Sequence, residues 1–246
     1  MTAWRVHDIN PGIRFRVVRE MAPLPPTLDA EVGQLWAAAQ ERMDGKLFNG
    51  RVFSADIITP DLVCGHWTEF RRIVAQMDRH DLHRAIGARP LAVGGVITGP
   101  DGVVFGRRPP GAIYQAGEWQ LPPAGSVDLG SARGEGDVDV IAQFLTELEE
   151  ELGLPPEAVA DATPLCIVEH AGSHVLDLGI AVTTNLSAAD ILASHAETGN
   201  AEYDPLVVVP PADLAAFVAR AGSTLNHQAP IFLRLARLFD VGPLPE

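Results

Sequence analysis

Apolar and polar positions change period several times along this chain, and each change marks an element. Residues 13–18 alternate as Ile-Arg-Phe-Arg-Val-Val, the pattern of a half-buried strand, and the proline-rich stretch 21–26 ends it. Asp29 suits the cap of a helix running to Met43, in which Val32, Leu35, Trp36 and Ala39 share a face. After Leu47-Phe48-Asn49-Gly50, residues 51–58 read as a strand, Thr59-Pro60-Asp61 as a break, and 62–64 as a short paired strand. Thr68 could cap a helix over 69–77 that turns Phe70, Ile73, Val74 and Met77 inward. The charged stretch 78–88 reads as the junction before a second domain. Beyond it, residues 91–97 and 103–106 flank Thr98-Gly99-Pro100-Asp101-Gly102, where proline fixes one φ and glycine supplies a positive one, predicting a β-hairpin. Gly94-Gly95 fits close packing of strands better than a phosphate loop, because no helix follows at the required spacing. Strands are expected at 164–169, 176–183 and 206–209, the last an apolar run suited to burial. Helices should open at the capping box Ser187-Ala188-Ala189-Asp190, at Pro211 and over 229–239, the last packing Phe232, Leu235, Ala236 and Phe239.

Residues 141–154 carry the strongest helical period. Ile141, Leu145, Leu148 and Leu152 fall on one side, Glu147, Glu150 and Glu151 on another, and Gly153 before Pro155-Pro156 ends the helix. Carboxylates in the last two turns oppose the helix dipole, and like charges at i,i+3 or i,i+4 cost about 0.2–0.5 kcal/mol each. A divalent cation reverses both signs, and hard cations such as Mg²⁺ take oxygen ligands shared with substrate phosphates. From the helix alone, a solvated acidic face is the simpler reading.

The residues upstream change that balance. Glu118-Trp119-Gln120-Leu121-Pro122-Pro123-Ala124-Gly125-Ser126-Val127-Asp128, followed by this helix, resembles the Nudix hydrolase signature. There a Pro-Gly-Gly turn leads through a loop to a helix reading Arg-Glu-(Leu/Ile)-x-Glu-Glu-x-Gly-(Leu/Val/Ile). Thr146-Glu147-Leu148-Glu149-Glu150-Glu151-Leu152-Gly153-Leu154 matches at every position but the first. Thr146 stands where the family has an arginine that steadies its glutamates. Ala124 stands where it has the first glycine of the turn. The loop is longer than the family's, with the surplus in residues 130–137, and Glu135, Asp137 or neither replaces the family's loop glutamate.

The resemblance implies an α/β fold, the Nudix α/β/α sandwich over 89–246, with a small N-terminal α+β domain over 1–88. Phe48-Asn49-Gly50 and Thr68-Glu69-Phe70-Arg71, with the long loop and the missing arginine, resemble more loosely the subgroup that hydrolyses UDP-sugars, whose N-terminal domain helps enclose the uridine end. Carried over by position, Glu147, Glu150 and Glu151 would bind Mg²⁺ or Mn²⁺, with the Ala124 carbonyl as a further ligand. Glu150 or the loop carboxylate Glu202 would take a proton. Apart from the resemblance, Arg107-Arg108 at the end of the hairpin either hold phosphate through paired guanidinium donors or serve as a solubilising strand end, and Asn49 would contact substrate. The implied reaction cleaves a nucleoside diphosphate derivative, a UDP-sugar giving UMP and a sugar 1-phosphate, with ADP-ribose, NADH and coenzyme A as other substrates. Thr146, Ala124 and the stretched loop keep open a non-hydrolytic nucleotide-binding or regulatory module.

Composition narrows the partners. Asp and Glu number 32 against 18 Lys and Arg, a formal charge of −14, which argues against nucleic acid or an anionic membrane and leaves a small nucleotide that would need a local cation. A homodimer is the assembly left open. Cys64 and Cys166 lie far apart and outside any zinc spacing, so free, buried thiols are expected. With no signal-like N-terminus and no apolar run of about 18–20 residues, a cytoplasmic location is the default expectation. His80-x-x-His83 lacks nearby ligands and reads as surface histidines. Ser173, His170, His174 and Asp177 lie close in sequence, but no nucleophile elbow surrounds Ser173, and the histidines read as loop residues near a ligand mouth or simply exposed.

Overall fold

Strands and helices alternate through most of the chain. A computed structural model describes residues 4–112 and 115–238. Its first part contains β1 (Trp4–Asp8), β2 (Arg14–Val17), α1 (Pro26–Arg42), β3 (Arg51–Ile58), β4 (Leu62–Glu69), α2 (Phe70–Asp78) and α3 (His83–Ile86). There follow β5 (Leu91–Gly99), β6 (Gly102–Arg107), β7 (Trp119–Gln120), β8 (Ala124–Ser126), β9 (Asp137–Val138) and α4 (Val140–Leu152). The remainder is β10 (Val159–His170), β11 (Leu176–Thr184), α5 (Ala188–Thr198), β12 (Leu206–Val209), α6 (Leu214–Ala221) and α7 (Gln228–Leu235).

Eight strands form one mixed sheet in the order β1-β10-β11-β5-β6-β12, with β7 on β6 and β8 on β5. The other four form a second sheet, β3-β4-β2-β9. β5 runs parallel to β11, and its hairpin with β6 pairs only at Thr98–Val103 and Gly99–Gly102. Past that hairpin β5 pairs with β8 and β6 with β7, so residues 119–126 enter the gap between the two strands. This wedge brings the Ala124–Gly125 turn into the sheet beneath α4.

Neighbouring strand residues face opposite sides of a sheet, and the glycines of β5 show what covers each side. A Cβ on Gly95 would lie 2.6 Å from the Phe144 ring of α4, and one on Gly94 would lie 3.7 Å from Phe232 of α7. Close approach of the Phe144 ring therefore accounts for Gly95, whereas a Cβ at Gly94 would meet only ordinary van der Waals contact. One core joins Phe144, Leu148 and Leu152 of α4 to Val93, Ile97, Leu176 and Ile180, and extends into the second sheet through Phe15, Phe53 and Val63. A second joins Phe232, Ala229 and Leu214 to Val96, Phe105 and Val168, and a smaller third joins Val52, Ile73 and Ala88. Helices on both faces of the large sheet make the α/β/α sandwich that the resemblance implied. Gly95→Ala is expected to cost about 1–3 kcal/mol through overpacking, with part of the loss recovered in Gly95→Ala/Phe144→Leu, as urea unfolding would measure.

The chain crosses the 88/89 boundary in both directions: β1 pairs with β10 in the large sheet, and β9 pairs with β2 in the small one. Several other expectations shift. α1 starts at Pro26 rather than after Asp29, because proline's fixed φ suits a first turn, and Asp29 lies inside that turn. Thr68 belongs to β4, and the N-terminus of α2 is served instead by Asn49, whose Oδ1 accepts the Arg71 N–H at 2.9 Å. β4 and β10 run longer than their apolar patterns suggested because each is paired on both edges. β12 is an edge strand, half of it only partly buried. α7 ends at Leu235, and Phe239 lies outside the described residues. Cys166 is buried, Cys64 only half-buried, and both are free. Among the described residues no helix is long and apolar enough to cross a membrane.

Candidate active site

Asp139 opens α4 by accepting the Ala142 N–H at 2.9 Å, and Gly153, at φ 69°, closes it. Between these caps Phe144, Leu148 and Leu152 are buried. Glu147 and Glu151 are one turn apart on the line that meets the Ala124–Gly125 turn. Glu151, 4% exposed, accepts the Ala124 N–H on Oε2 at 3.0 Å. Glu147 packs against Gly125 so closely that a Cβ there would run into its carboxyl group. The turn therefore needs glycine at 125 and tolerates alanine at 124.

The third glutamate separates from these two. Glu150 is exposed, because a step of three residues along a helix leaves it off the line of Glu147 and Glu151. The acidic and apolar faces also overlap, since Glu151 is buried beside Leu152.

Burial dominates the electrostatics. It pushes Glu147 up to about 7, opposed by a hydrogen bond from Gln143 and reinforced by the charges of Glu150, Asp128 and Glu202. It pushes Glu151 up to about 8, opposed by the Ala124 N–H and Arg108 and reinforced by Glu147 and Glu202. The Tyr203 hydroxyl, fully buried beside Glu151, is raised well above its ordinary range by desolvation and by that carboxylate.

Of the residues singled out by sequence, the structure brings together Glu147, Glu151, Ala124, Glu202 and Arg108. Glu202 pairs with Arg108 at the edge of the site, and the Arg108 Nε is buried without a hydrogen-bond partner among the described residues. Arg107 leaves the other way, donating to the Gly117 carbonyl at 3.1 Å and lying 6.0 Å over the Trp119 ring, because adjacent residues at a strand end diverge. At Ala124 it is the N–H, not the carbonyl, that the hydrogen bond ties to the helix. Asn49 is engaged with α2. Glu135 and Asp137 face the second sheet: the Glu135 carbonyl accepts from Arg16, and Asp137 pairs with Arg16 at 3.0 Å.

Three contributors were missed by sequence reasoning. Gln143 donates to Glu147 at 2.9 Å and accepts the Asp128 N–H at 3.2 Å, so it does with an amide what an arginine at 146 would do with a charge. Thr146 itself only bonds back to the Ala142 carbonyl. Asp128 is the loop carboxylate whose charge reaches Glu147, and Tyr203 fills the space over Gly106 behind Glu151. The i,i+4 spacing of Gln143 and Glu147 was the available signal; Asp128 and Tyr203 carried none.

The histidines form a separate cluster. His83 is half-buried and stacks on His174 at 3.4 Å, so it is not the surface residue expected. Glu169 accepts from His7, His174 and Arg89, which hold it well below the usual carboxylate range against the opposing effect of burial. Ser173 meets His170 at 2.8 Å, but Asp177 joins neither histidine, so no catalytic triad forms.

No protein-family model matches the sequence, and neither does any curated protein. Among solved structures, similarity extends to a MutT Nudix hydrolase from Burkholderia pseudomallei, at 22% identity over 59% of this chain and 96% of that one, with TM-score 0.41. A MutT protein from Methanosarcina mazei shows 19% identity over 60% and 93%, with TM-score 0.39. A bifunctional NMN adenylyltransferase/ADP ribose pyrophosphatase from Francisella tularensis shows 13% identity over 65% and 46%, with TM-score 0.43. Likeness at this level leaves the chemistry to be read from this chain's own side chains.

Among the described residues no three histidine, cysteine, aspartate or glutamate side chains converge tightly enough to hold a metal ion as they stand. The donors present still fit a hard cation. Burial raises the pKa of both carboxylates, Glu147 raises that of Glu151 further, Glu202 raises both, and the glycine cradle keeps them beside a backbone turn.

Proposed function

We propose that this chain is a Nudix-type hydrolase that uses a divalent cation to cleave the diphosphate of a nucleoside diphosphate derivative. The observation that carries this reading is the pairing of Glu147 and Glu151, both largely desolvated and both raised in pKa, against the Ala124–Gly125 turn. Buried carboxylates that repel one another oppose folding and favour a bound cation. Glu147 and Glu151 would hold Mg²⁺ or Mn²⁺, with Glu150 turning inward and the Ala124 carbonyl as a further donor. A cation bound there supplies charge neutralisation at the diphosphate and acidifies a water molecule.

The protein's own groups divide the remaining work. Arg108, its Nε buried and unpaired, is set to take a phosphate oxygen, and that contact would compete with its ion pair to Glu202. Released from Arg108, Glu202 becomes the carboxylate free to accept the water's proton, with Glu150 as the other candidate. Gln143 fixes the Glu147 carboxylate, and Tyr203 keeps water from the back of Glu151.

UDP-glucose and UDP-galactose are the first substrates to test, on the strength of the Phe48-Asn49-Gly50 and Thr68-Glu69-Phe70-Arg71 matches. The capping role of Asn49 supplies no separate support for uridine. Purified protein with Mg²⁺ should be assayed against UDP-sugars, ADP-ribose, NADH and coenzyme A. Turnover of one of these, falling by about a hundredfold or more in Glu150→Gln or Glu202→Gln, is the expected result. No turnover of any, with no Mg²⁺-dependent rise in melting temperature, would overturn the proposal.

A further inference from the structure

Ala124 also borders a recess on the α7 side of the sheet, lined by Leu121, Asp177, Asn226, Gln228 and Phe232. The recess has room for little more than a water-sized group, and the roughly 260 Å³ of unfilled space about it includes open solvent. Asp177 is the charged residue of that lining. In β11, Leu176 and Leu178 face the α4 core while Gly179 lies under Phe232, so the strand alternation sends Asp177 to the α7 side. It is 7% exposed, and its Oδ2 is fully covered with no hydrogen-bond partner among the described residues. Burial alone pushes its carboxyl up to about 7.

An unpaired carboxylate at this depth opposes folding, and nothing packed around it among the described residues relieves that cost. The flanking amides are partly committed: Asn226 Oδ1 accepts the Ala229 N–H at 3.2 Å, and Gln228 Oε1 accepts from Gln115 at 3.3 Å. With its oxygen occupied, the Gln228 amide keeps N–H donors to offer. An acceptor beside a donor, in a recess that admits only the edge of a ligand, matches the polar edge of a flat heterocycle.

We propose that this recess binds the base of the substrate by that edge, with Asp177 accepting a ring or exocyclic N–H and Gln228 donating to the adjoining acceptor. The assignment rests on reading the Glu147–Glu151 site as one that acts on nucleoside diphosphates. It makes Asp177 a residue that determines specificity, remote from the reacting atoms.

Calorimetric binding at pH 8 with Mg²⁺ tests it, using ADP, CDP and UDP and their counterparts N6,N6-dimethyl-ADP, N4,N4-dimethyl-CDP and N3-methyl-UDP. For the base that binds best, methylation should weaken binding by about tenfold or more, the worth of one hydrogen bond to a charged group. In Asp177→Leu that penalty should disappear while the ligand-free melting temperature rises, an increase that a merely structural Asp177 would not give. Asp177→Ala also removes the acceptor and reads the same penalty if the leucine variant fails to fold. Equal binding of parent and methylated nucleotides, or a penalty that persists unchanged in Asp177→Ala, overturns the assignment. Hydrolysis of a nucleoside diphosphate sugar without any methylation penalty overturns the base recess alone. No binding by any of the six nucleotides overturns it together with the reading it rests on.

Discussion

Glu151→Gln should melt several degrees higher than the parent at pH 8 without divalent cations, yet gain nothing from Mg²⁺ and lose turnover. Both Glu147 and Glu151 have folded pKa values raised above their unfolded value, to about 7 and about 8. As pH rises from about 4.5, the unfolded chain releases these protons first and the folded chain holds them longer, so stability falls with pH. The loss is absent below about pH 4.5 and nearly complete above about pH 8. Glutamine keeps an acceptor for the Ala124 N–H but removes one charge, which should recover part of that loss, at about 2–4 °C per kcal/mol for a chain of this length. A cation bound to the carboxylates stabilises the parent by mass action, so Mg²⁺ should raise its melting temperature more at pH 8 than at pH 6. Turnover should drop about a hundredfold or more with the lost charge neutralisation. Scanning calorimetry from pH 5 to pH 9, with and without Mg²⁺, checks each sign. A variant less stable than the parent at pH 8, with an undiminished response to Mg²⁺, would remove Glu151 from the metal site.

Gly125→Ala is expected to separate function from folding. The added methyl would collide with the Glu147 carboxyl group, and the side chain, unlike the backbone of β8, can swing away. The fold should lose only about 1–3 kcal/mol, whereas turnover and the Mg²⁺ response should fall at least as far as in Glu151→Gln. Because both act through one carboxylate, Gly125→Ala/Glu147→Ala should be no less active than Glu147→Ala. Additive losses in that cycle, measured as kcat/KM, would mean that Gly125 matters for some other reason.

Much of the fold was legible because local rules governed it. β3 (Arg51–Ile58) and β12 (Leu206–Val209) have the bounds their apolar runs and breaks indicated. Ser187 and Asp190 form the capping box reciprocally, and Gly153 ends α4 in the left-handed region. Legibility failed where partners came from elsewhere in the chain. Thr68 has cap chemistry but is held in β4 by β3, while Asn49, which has no helix of its own, serves α2. His80-x-x-His83 looked superficial until His174, from a distant loop, stacked on His83.

The order of residues by itself determined the α4 helix, its C-terminal cap, its acidic composition and the turn residues ahead of it, because periodicity, capping and backbone freedom act within a few positions of one another. Only the tertiary structure decided which carboxylates meet. It sank Glu151 and much of Glu147 against the wedge of β7 and β8, left Glu150 in solvent, set Asp128 and Glu202 as the nearby charges, turned Arg108 in and Arg107 away, and buried Asp177 with no partner among the described residues. Desolvation and charge proximity depend on what packs from distant segments, and no local pattern in the chain encodes them.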